Sequence, residues 1–567
     1  MEKTFISRKC LYPTRYIRKT EKPIKNGDFG RHHNNRGVQI CPFGLSYKSV
    51  KASCPHNKSS FGAEAMFHKI LIANRGEIAI RVIRACKELG IKAVAVYSEA
   101  DRESLHVRYA DESYCVGPAR PTESYLDIDK IIDAAKQSGS EAIHPGYGFL
   151  AQIPDFADKC KSNGVEFVGP PSEVLRKMGN KVTARRTMAN AGVPVVPGSM
   201  RPLKDEVEVA EGAEKVGYPV LIKAVYGGGG KGMRFVNSKS DIRKAMELAR
   251  LEAETSFGSS EVYVEKLLTK PRHIEVQVLA DKEGNVVHLG ERECSIQRRY
   301  QKLIEETPSP MMTEELRKIM GKTAIEGVKA IKYNNAGTLE FLVDREDNFY
   351  FLEMNTRLQV EHIITEMVTG VDIVKQQLKI AAGEKLEYEQ DEVAIKGHAL
   401  NCRINAEDPY NDFVPCPGTI TRYLAPGGPG IRVDSALYTG YTIPIFYDPL
   451  VAKLAVWGTD RDEAILRMKN ALDEYVIEGV ETTIPLHKKI LDDECFRRGE
   501  IHTEFIGERM GRLGMEEEFE GEEVVALSAV LADYLSDRQE GLATIPQRRA
   551  ETASAWKMAG RRALMES

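Results

Sequence analysis

Asn348-Phe349-Tyr350-Phe351-Leu352-Glu353-Met354-Asn355-Thr356-Arg357-Leu358-Gln359-Val360-Glu361-His362 begins as an almost unbroken apolar and aromatic run and ends in groups that water would normally claim. The first half has the pattern of a strand buried on both faces. Glu353, Asn355 and Arg357 then follow at period two and so leave one face together. Upstream, Gly337 to Val343 is a second apolar strand, and Asp344-Arg345-Glu346-Asp347-Asn348 between the two has the composition of a turn. A hairpin centred near Glu346 sets Glu340 opposite Leu352 or Glu353, with facing side chains about 5 Å apart. Two buried carboxylates that close need either a proton on one or a cation between them. Oxygen donors from Glu340, Glu353 and Asn355 suit Mg2+ or Mn2+, which leaves its other positions to water and phosphate. A solvated hairpin edge slipped by one residue is disfavoured, because it would turn the Phe and Leu side chains outward.

With 567 residues, 42% of them hydrophobic, the chain is long enough for about three to four domains. A net charge of -4 gives no reason to expect nucleic acid or an anionic membrane as a partner, and no apolar run is long enough to span a bilayer. Ten cysteines without a CxxC pair argue against a zinc site or a disulfide framework and for a reducing compartment, so a cytoplasmic location is expected. Residues 1–65 carry thirteen Lys or Arg against four acids and no periodicity. They read as a disordered basic extension or as residues ahead of a functional start at Met66, with organelle import left open.

From Met66 the pattern alternates. Lys69 to Ala73 is a strand, Asn74 to Glu77 a turn, and Ile78 to Leu89 a helix; Ala93 to Tyr97, Ala142 to Phe149 and Glu166 to Pro170 continue as strands separated by helical segments. This is a parallel α/β sheet, and no GxGxxG at the first turn points to nicotinamide. Further on, Gly227 to Gly230 are four consecutive glycines between two strands, costly in backbone entropy unless bare N–H groups close over an anion. Flanking strands exclude a Walker loop, which a helix should follow. Lys223, inside the preceding apolar strand, demands an anion, and a phosphate oxygen would serve. In Arg272 to Ala280 strict alternation sets His273, Glu275 and Gln277 apart from the apolar residues, which by periodicity alone reads as a solvated face. Thr365 to Ala382, closing at Gly383, reads as one helix.

The ordered set now identifies a family. The Gly-rich loop, Glu265-Lys266, Pro271 to Gln277, Glu291 to Arg299, Gln301-Lys302, Glu353 to His362 and Cys402 to Asp408 resemble ATP-grasp enzymes. More narrowly, they resemble the biotin carboxylase subunit of acetyl-CoA or pyruvate carboxylase over residues 66–510. The resemblance implies an α/β fold of three domains: a Rossmann-like preATP-grasp domain at 66–180, an ATP-grasp domain at 181–396 with a lid at about 196–267, and a C-terminal biotin carboxylase domain at 397–511. It implies that ATP and bicarbonate form carboxyphosphate and that biotin is carboxylated at N1. Lys181, Lys223, Gly229, Gly230, Glu265, Lys266, Leu267, Leu268, His273 and Tyr300 would then meet ATP. Glu340, Glu353 and Asn355 would hold two Mg2+ or Mn2+ ions. Lys302, Arg357 and Val360 would hold bicarbonate, Glu361 would act as general base and Arg403 would stabilise the biotin enolate.

Three positions depart from the family pattern. Tyr300 replaces the usual His before Gln-Lys, Ala151-Gln152-Ile153 replaces Ser-Glu-Asn and so loses a carboxylate, and Ile363-Ile364 follows His362. Residues 397–511, with their Pro-Gly turns, are expected to form a mixed sheet packed on the ATP-grasp core. In 512–567 an acidic stretch precedes a helical, basic end, read as a partner-docking or solvated tail; Lys557-Met558 faintly echoes a biotinyl-lysine site without room for a carrier domain. The biotin carrier protein and the carboxyltransferase are therefore expected on separate chains, and a homodimer is expected. The competing classes are an ATP-grasp ligase joining a carboxylate to an amine and a non-catalytic nucleotide-binding regulatory module.

Overall fold

The computed structural model describes residues 66–227, 232–511 and 514. Gly229 and Gly230, the 1–65 extension and the 512–567 tail apart from Gly514 lie outside the described residues.

Five strands, β1 (Lys69–Ile72), β2 (Lys92–Ser98), β3 (Glu112–Gly117), β4 (Ala142–His144) and β5 (Glu166–Phe167), lie in the order β3-β2-β1-β4-β5. Every pairing is parallel, as the alternation predicts. Their apolar runs are buried on both faces: Leu71, Val94 and Ile143 pack with Ile131 and Phe156, while Ile70, Ile72 and Ala93 pack with Ile78, Val82 and Ile83 of the helix Gly76–Glu88. A second, antiparallel sheet of three strands, β6 (Val220–Ala224), β7 (Met233–Val236) and β8 (Val262–Lys266), follows in the order β7-β6-β8. It packs Val220, Ile222 and Val264 against Ile242, Met246 and Ala249 of the helix Ile242–Phe257.

The remaining long strands make one sheet. β9 (Arg272–Ala280), β10 (Val286–Arg298), β11 (Gln301–Thr307), β12 (Asn335–Val343), β13 (Phe349–Asn355) and β14 (His398–Asn405) are followed by short β15 (Glu407–Asp408), β16 (Val414–Pro415) and β17 (Arg422–Leu424), then β18 (Ile431–Ser435), β19 (Leu450–Gly458) and β20 (Val476–Glu478). Eight of them run β13-β12-β9-β10-β11-β14-β19-β18, antiparallel throughout. The expected separate mixed sheet after Gly397 is thus corrected: β14, β19 and β18 extend the central sheet through the β11–β14 ladder.

The hairpin forms, with Glu340 opposite Glu353. β13, however, is the sheet's edge and only partly buried, not enclosed on both faces. Its register shifts between Glu340 and Phe341, which faces Phe351, so Leu352 is an extra residue, a β-bulge. The bulge resolves a conflict of parity. Phe351 and Glu353 are two apart and would share a face in a regular strand; with Leu352 inserted, Phe351 and Met354 join the core under the helix Glu314–Ala330. Glu353 and Leu352 instead line a cavity on the other side.

The segment 365–382 is also corrected. It is two helices, His362–Thr369 and Ile373–Ala381. Gly370 ends the first with φ +75°, and Asp372 caps the second by accepting a hydrogen bond from the Lys375 N–H.

Candidate active site

Register alone builds a row of charges. Glu353 on β13 faces Glu340 on β12, Glu340 faces Glu275 on β9, and Glu275 faces Arg292 on β10. Directly opposite residues in antiparallel strands share a face, so one face of the sheet carries three carboxylates and an arginine side by side. His273, Glu275 and Gln277 are only 5%, 0% and 0% exposed, which corrects the expected solvated strand face. What replaces water is other protein: Arg292, itself 0% exposed, donates to the Gln277 and Glu275 side chains, to the Thr338 and Thr365 hydroxyls and to the Gln359 amide oxygen.

Lys302, on β11, projects into this row. Its ammonium donates to Glu275, to Glu340 Oε1 at 3.0 Å and to Glu361 Oε1 at 2.8 Å. The other oxygen of Glu361 accepts from Arg403 at 2.9 Å, and Arg403 also donates to Glu305 at 2.6 Å. Burial by itself would raise the Glu361 pKa, but Lys302 and Arg403 together outweigh it and hold the carboxyl well below its ordinary range. Glu275 goes the other way: burial, with Glu361 and Glu340 nearby, pushes it up to about 7 against the pull of Lys302. The His273 ring is 3.0 Å from Glu340 Oε2; burial lowers its pKa, and Glu340 more than reverses that.

Glu340 is the most shared acceptor. Besides His273 and Lys302 it accepts from Asn355 Nδ2 at 2.6 Å and Gln359 Nε2 at 2.8 Å. Glu340, Glu353 and Asn355 all line the cavity and offer the hard oxygen atoms that Mg2+ prefers. His273, Glu275 and Glu340 also place ligand atoms within 4.8 Å of one another, a grouping that leaves out Glu353.

Lys223, buried on β6, has an anionic partner within the protein: its ammonium donates to Glu265 Oε2 at 2.8 Å, Arg185 donates to Glu265 Oε1, and Lys223 also lines the cavity. Burial lowers the Lys223 pKa against the pull of Glu265. Lys181 opens the helix Lys181–Asn190 and lies 3.5 Å from Glu353. Lys266 donates to the Gly217 and Tyr218 carbonyls. One cavity of about 1100 Å³ is lined by Lys181, Lys223, Glu265, Lys266, Leu267, Leu268, His273, Tyr300, Lys302, Glu340, Glu353, Asn355, Arg357, Val360, Glu361 and Arg403, among others. Its size exceeds that of a single drug-sized pocket, roughly 300–1,000 Å³.

Arg357 does not pair with Glu361 four residues on. Its Nη2 donates to Asn355 Oδ1 at 2.7 Å, Nη1 to the Leu358 carbonyl at 3.0 Å and Nε to Gln152 Oε1 at 2.8 Å. Gln359, Glu275, Glu305 and Gln152 were not among the expected site residues. Gln359 lay inside the deciding stretch, and the odd polar face of β9 was a signal for Glu275; nothing local marked Glu305.

Tyr300 and Arg299 form the tip of the β10–β11 hairpin, both with positive φ (+66° and +48°), a conformation usually given to Asn-Gly. Arg299 is tied to Asp412 at 3.2 Å, and Tyr300, 46% exposed, lines the same cavity as Leu267 and Leu268. Tyr300→His is expected to change the KM for ATP by about threefold or more while kcat stays within twofold, the scale of losing one half-exposed apolar contact. Unchanged ATP binding would contradict this.

Three comparisons bear on this arrangement. The family Biotin carboxylase, N-terminal domain, matches residues 66–175; Carbamoyl-phosphate synthase L chain, ATP binding domain, matches 180–389; and Biotin carboxylase C-terminal domain matches 401–508. The chain is 54% identical to a pyruvate carboxylase subunit of Methanothermobacter thermautotrophicus over 491 residues, 84% of this chain and 100% of that one. It is 54% identical to biotin carboxylase 1 of Bacillus subtilis over 442 residues, 78% of this chain and 98% of that one. A crystal structure of the Hydrogenobacter thermophilus 2-oxoglutarate carboxylase biotin carboxylase domain dimer, with MgADP, ADP and bicarbonate, superposes with a TM-score of 0.77 at 50% identity, covering 79% of this chain and 99% of that one.

Proposed function

On the premise that this chain belongs to the biotin carboxylase family of ATP-grasp ligases, we propose the part each residue of the cavity plays in carboxylating biotin at the expense of ATP and bicarbonate. Transfer of the γ-phosphoryl group to a bicarbonate oxygen, with Glu361 taking the bicarbonate proton, gives ADP and carboxyphosphate; carboxyphosphate then breaks the C–O bond to its phosphoryl oxygen to release phosphate and CO2, the released phosphate accepts the N1 proton of biotin, and N1 attacks the carbon of CO2.

The observation that carries the reading is the placement of Glu361. Its carboxylate, paired with Lys302 on one oxygen and Arg403 on the other and so kept ionised, lines the same cavity as Arg357 and Val360; in this reading it takes the bicarbonate proton, with a cation on either side to hold the anion that results. Lys223, Lys181 and His273 face the phosphates, and the β8 end with Lys266, Leu267 and Leu268 borders the adenine. Lys302, Arg357 and Val360 hold bicarbonate, and Arg403 faces the enolate oxygen of biotin. Glu340, Glu353 and Asn355 would hold the divalent ions, which when bound neutralise phosphate charge. Gly229 and Gly230, outside the described residues, are assigned to ATP binding in this reading.

The biotin carrier and the carboxyltransferase are separate chains in this reading, the chain acts as a homodimer, and the location is the cytoplasm. Among the described residues no helix is long and apolar enough to cross a membrane. Purified chain with MgATP should cleave ATP only when bicarbonate is present, and faster when free biotin is added. Cleavage indifferent to bicarbonate but dependent on an amine would assign it to a carboxylate–amine ligase; no cleavage with intact ATP binding would assign it a regulatory role.

A further inference from the structure

The cations of the cavity are not equivalent. Lys302, Arg403, Lys223 and Lys181 each have a carboxylate within 4 Å. Arg357 differs from these four, as does Lys266 with its two carbonyl acceptors: the three hydrogen-bond acceptors of Arg357, Gln152 Oε1, Asn355 Oδ1 and the Leu358 carbonyl, are all neutral oxygens. Its charge therefore faces the cavity uncompensated by those contacts. Arginine has no acceptor of its own, so the amide of Gln152 must turn its oxygen toward Nε, and its Nε2 then donates to the buried Thr356 hydroxyl at 3.3 Å.

We propose that Gln152 is a positioning residue that fixes the plane of the Arg357 guanidinium without neutralising it, and so sets the affinity of this site for a small oxyanion such as bicarbonate. A carboxylate at the same place would hold the same plane, but it would compete with the substrate anion for the guanidinium. The chain's departure from Ser-Glu-Asn at 151–153 is then a change in anion affinity, made without touching a group that takes part in the chemistry.

The inference rests on the bicarbonate-dependent reading given above, and the test separates the two. Gln152 is exposed, so its variants should fold normally. Bicarbonate-dependent ATP cleavage is measured in the full chain for Gln152→Glu and Gln152→Leu. Gln152→Glu should raise the KM for bicarbonate about fivefold at low ionic strength, the scale of an exposed ion pair. The rise should shrink as salt is added, because the competing charge is screened. The KM for ATP and kcat should stay within about twofold, since neither depends on that charge. Gln152→Leu, which removes the acceptor without adding charge, should show no salt-dependent rise. A bicarbonate KM unchanged in Gln152→Glu, or a rise indifferent to salt, overturns the proposal and leaves the family function standing. Loss of bicarbonate dependence in the parent chain overturns both.

Discussion

Replacing Glu361 by Gln should lower kcat for biotin carboxylation by about a thousandfold, within the range expected when a positioned general base is lost. The amide keeps the volume of the carboxylate and still accepts a hydrogen bond from Lys302, but it cannot take a proton. The change is also unlike a simple deletion of a buried charge, which costs roughly 3–5 kcal/mol when a partner is left alone. Lys302 keeps Glu275 and Glu340, and Arg403 keeps Glu305. The variant should therefore stay folded and bind nucleotide, as thermal denaturation with and without MgATP would show. A kcat within about tenfold of the parent at saturating substrates would remove Glu361 from the role of base. The parent enzyme carries a related signature. Because the folded-state pKa of Glu361 is depressed by Lys302 and Arg403, the carboxylate stays ionised on descent through the ordinary carboxylate range and protonates only well below it. Any loss of rate near pH 5 must then come from another group.

Glu340→Gln should show the second large effect, on metal dependence. Glu340 accepts hydrogen bonds from His273, Lys302, Asn355 and Gln359. It is also one of the hard oxygen donors by which the cavity suits Mg2+. A carboxamide retains one acceptor oxygen but loses the charge that attracts both the ion and Lys302. The Mg2+ concentration for half-maximal activity should rise by about tenfold or more, and kcat at saturating Mg2+ should fall about a hundredfold, as for loss of one ligand or its supporting contact. A Mg2+ titration that superposes on that of the parent would show that the ion is held elsewhere.

Much of this was legible because hydrophobic parity leaves few ways to place a charged residue in an apolar strand. The hairpin, and Glu340 opposite either Leu352 or Glu353, follow from period two and turn composition, and the parallel sheet follows from the alternation of strand and helix; the ladder settles the partner as Glu353. The misreadings have physical causes. His273, Glu275 and Gln277 look like a wet face when only β9 is considered; they are dry because Arg292 and Lys302 arrive from β10 and β11, and single-strand periodicity carries no information about that. Lys223 in an apolar strand needs an anion by sequence alone, and which protein anion it meets is not legible there, because Glu265, 42 residues away, is brought to it by the β6–β8 ladder. The bulge at Leu352 is invisible to composition, since Leu suits a regular strand, yet it lets Phe351 and Glu353 serve opposite sides. Gly370 and Asp372 were a legible helix break that the apolar content on either side concealed.

The continuous eight-stranded ladder also has a mechanical meaning. Glu353 at its edge and Arg403 five strands away belong to one continuous sheet, its ladders interrupted only by local register shifts such as the bulge at Leu352, so the spacing between them is set by backbone hydrogen bonds. The three-stranded β7-β6-β8 sheet, which carries Lys223 and Glu265, is a separate sheet, so the ladder that fixes the spacing of the carboxylates does not fix theirs.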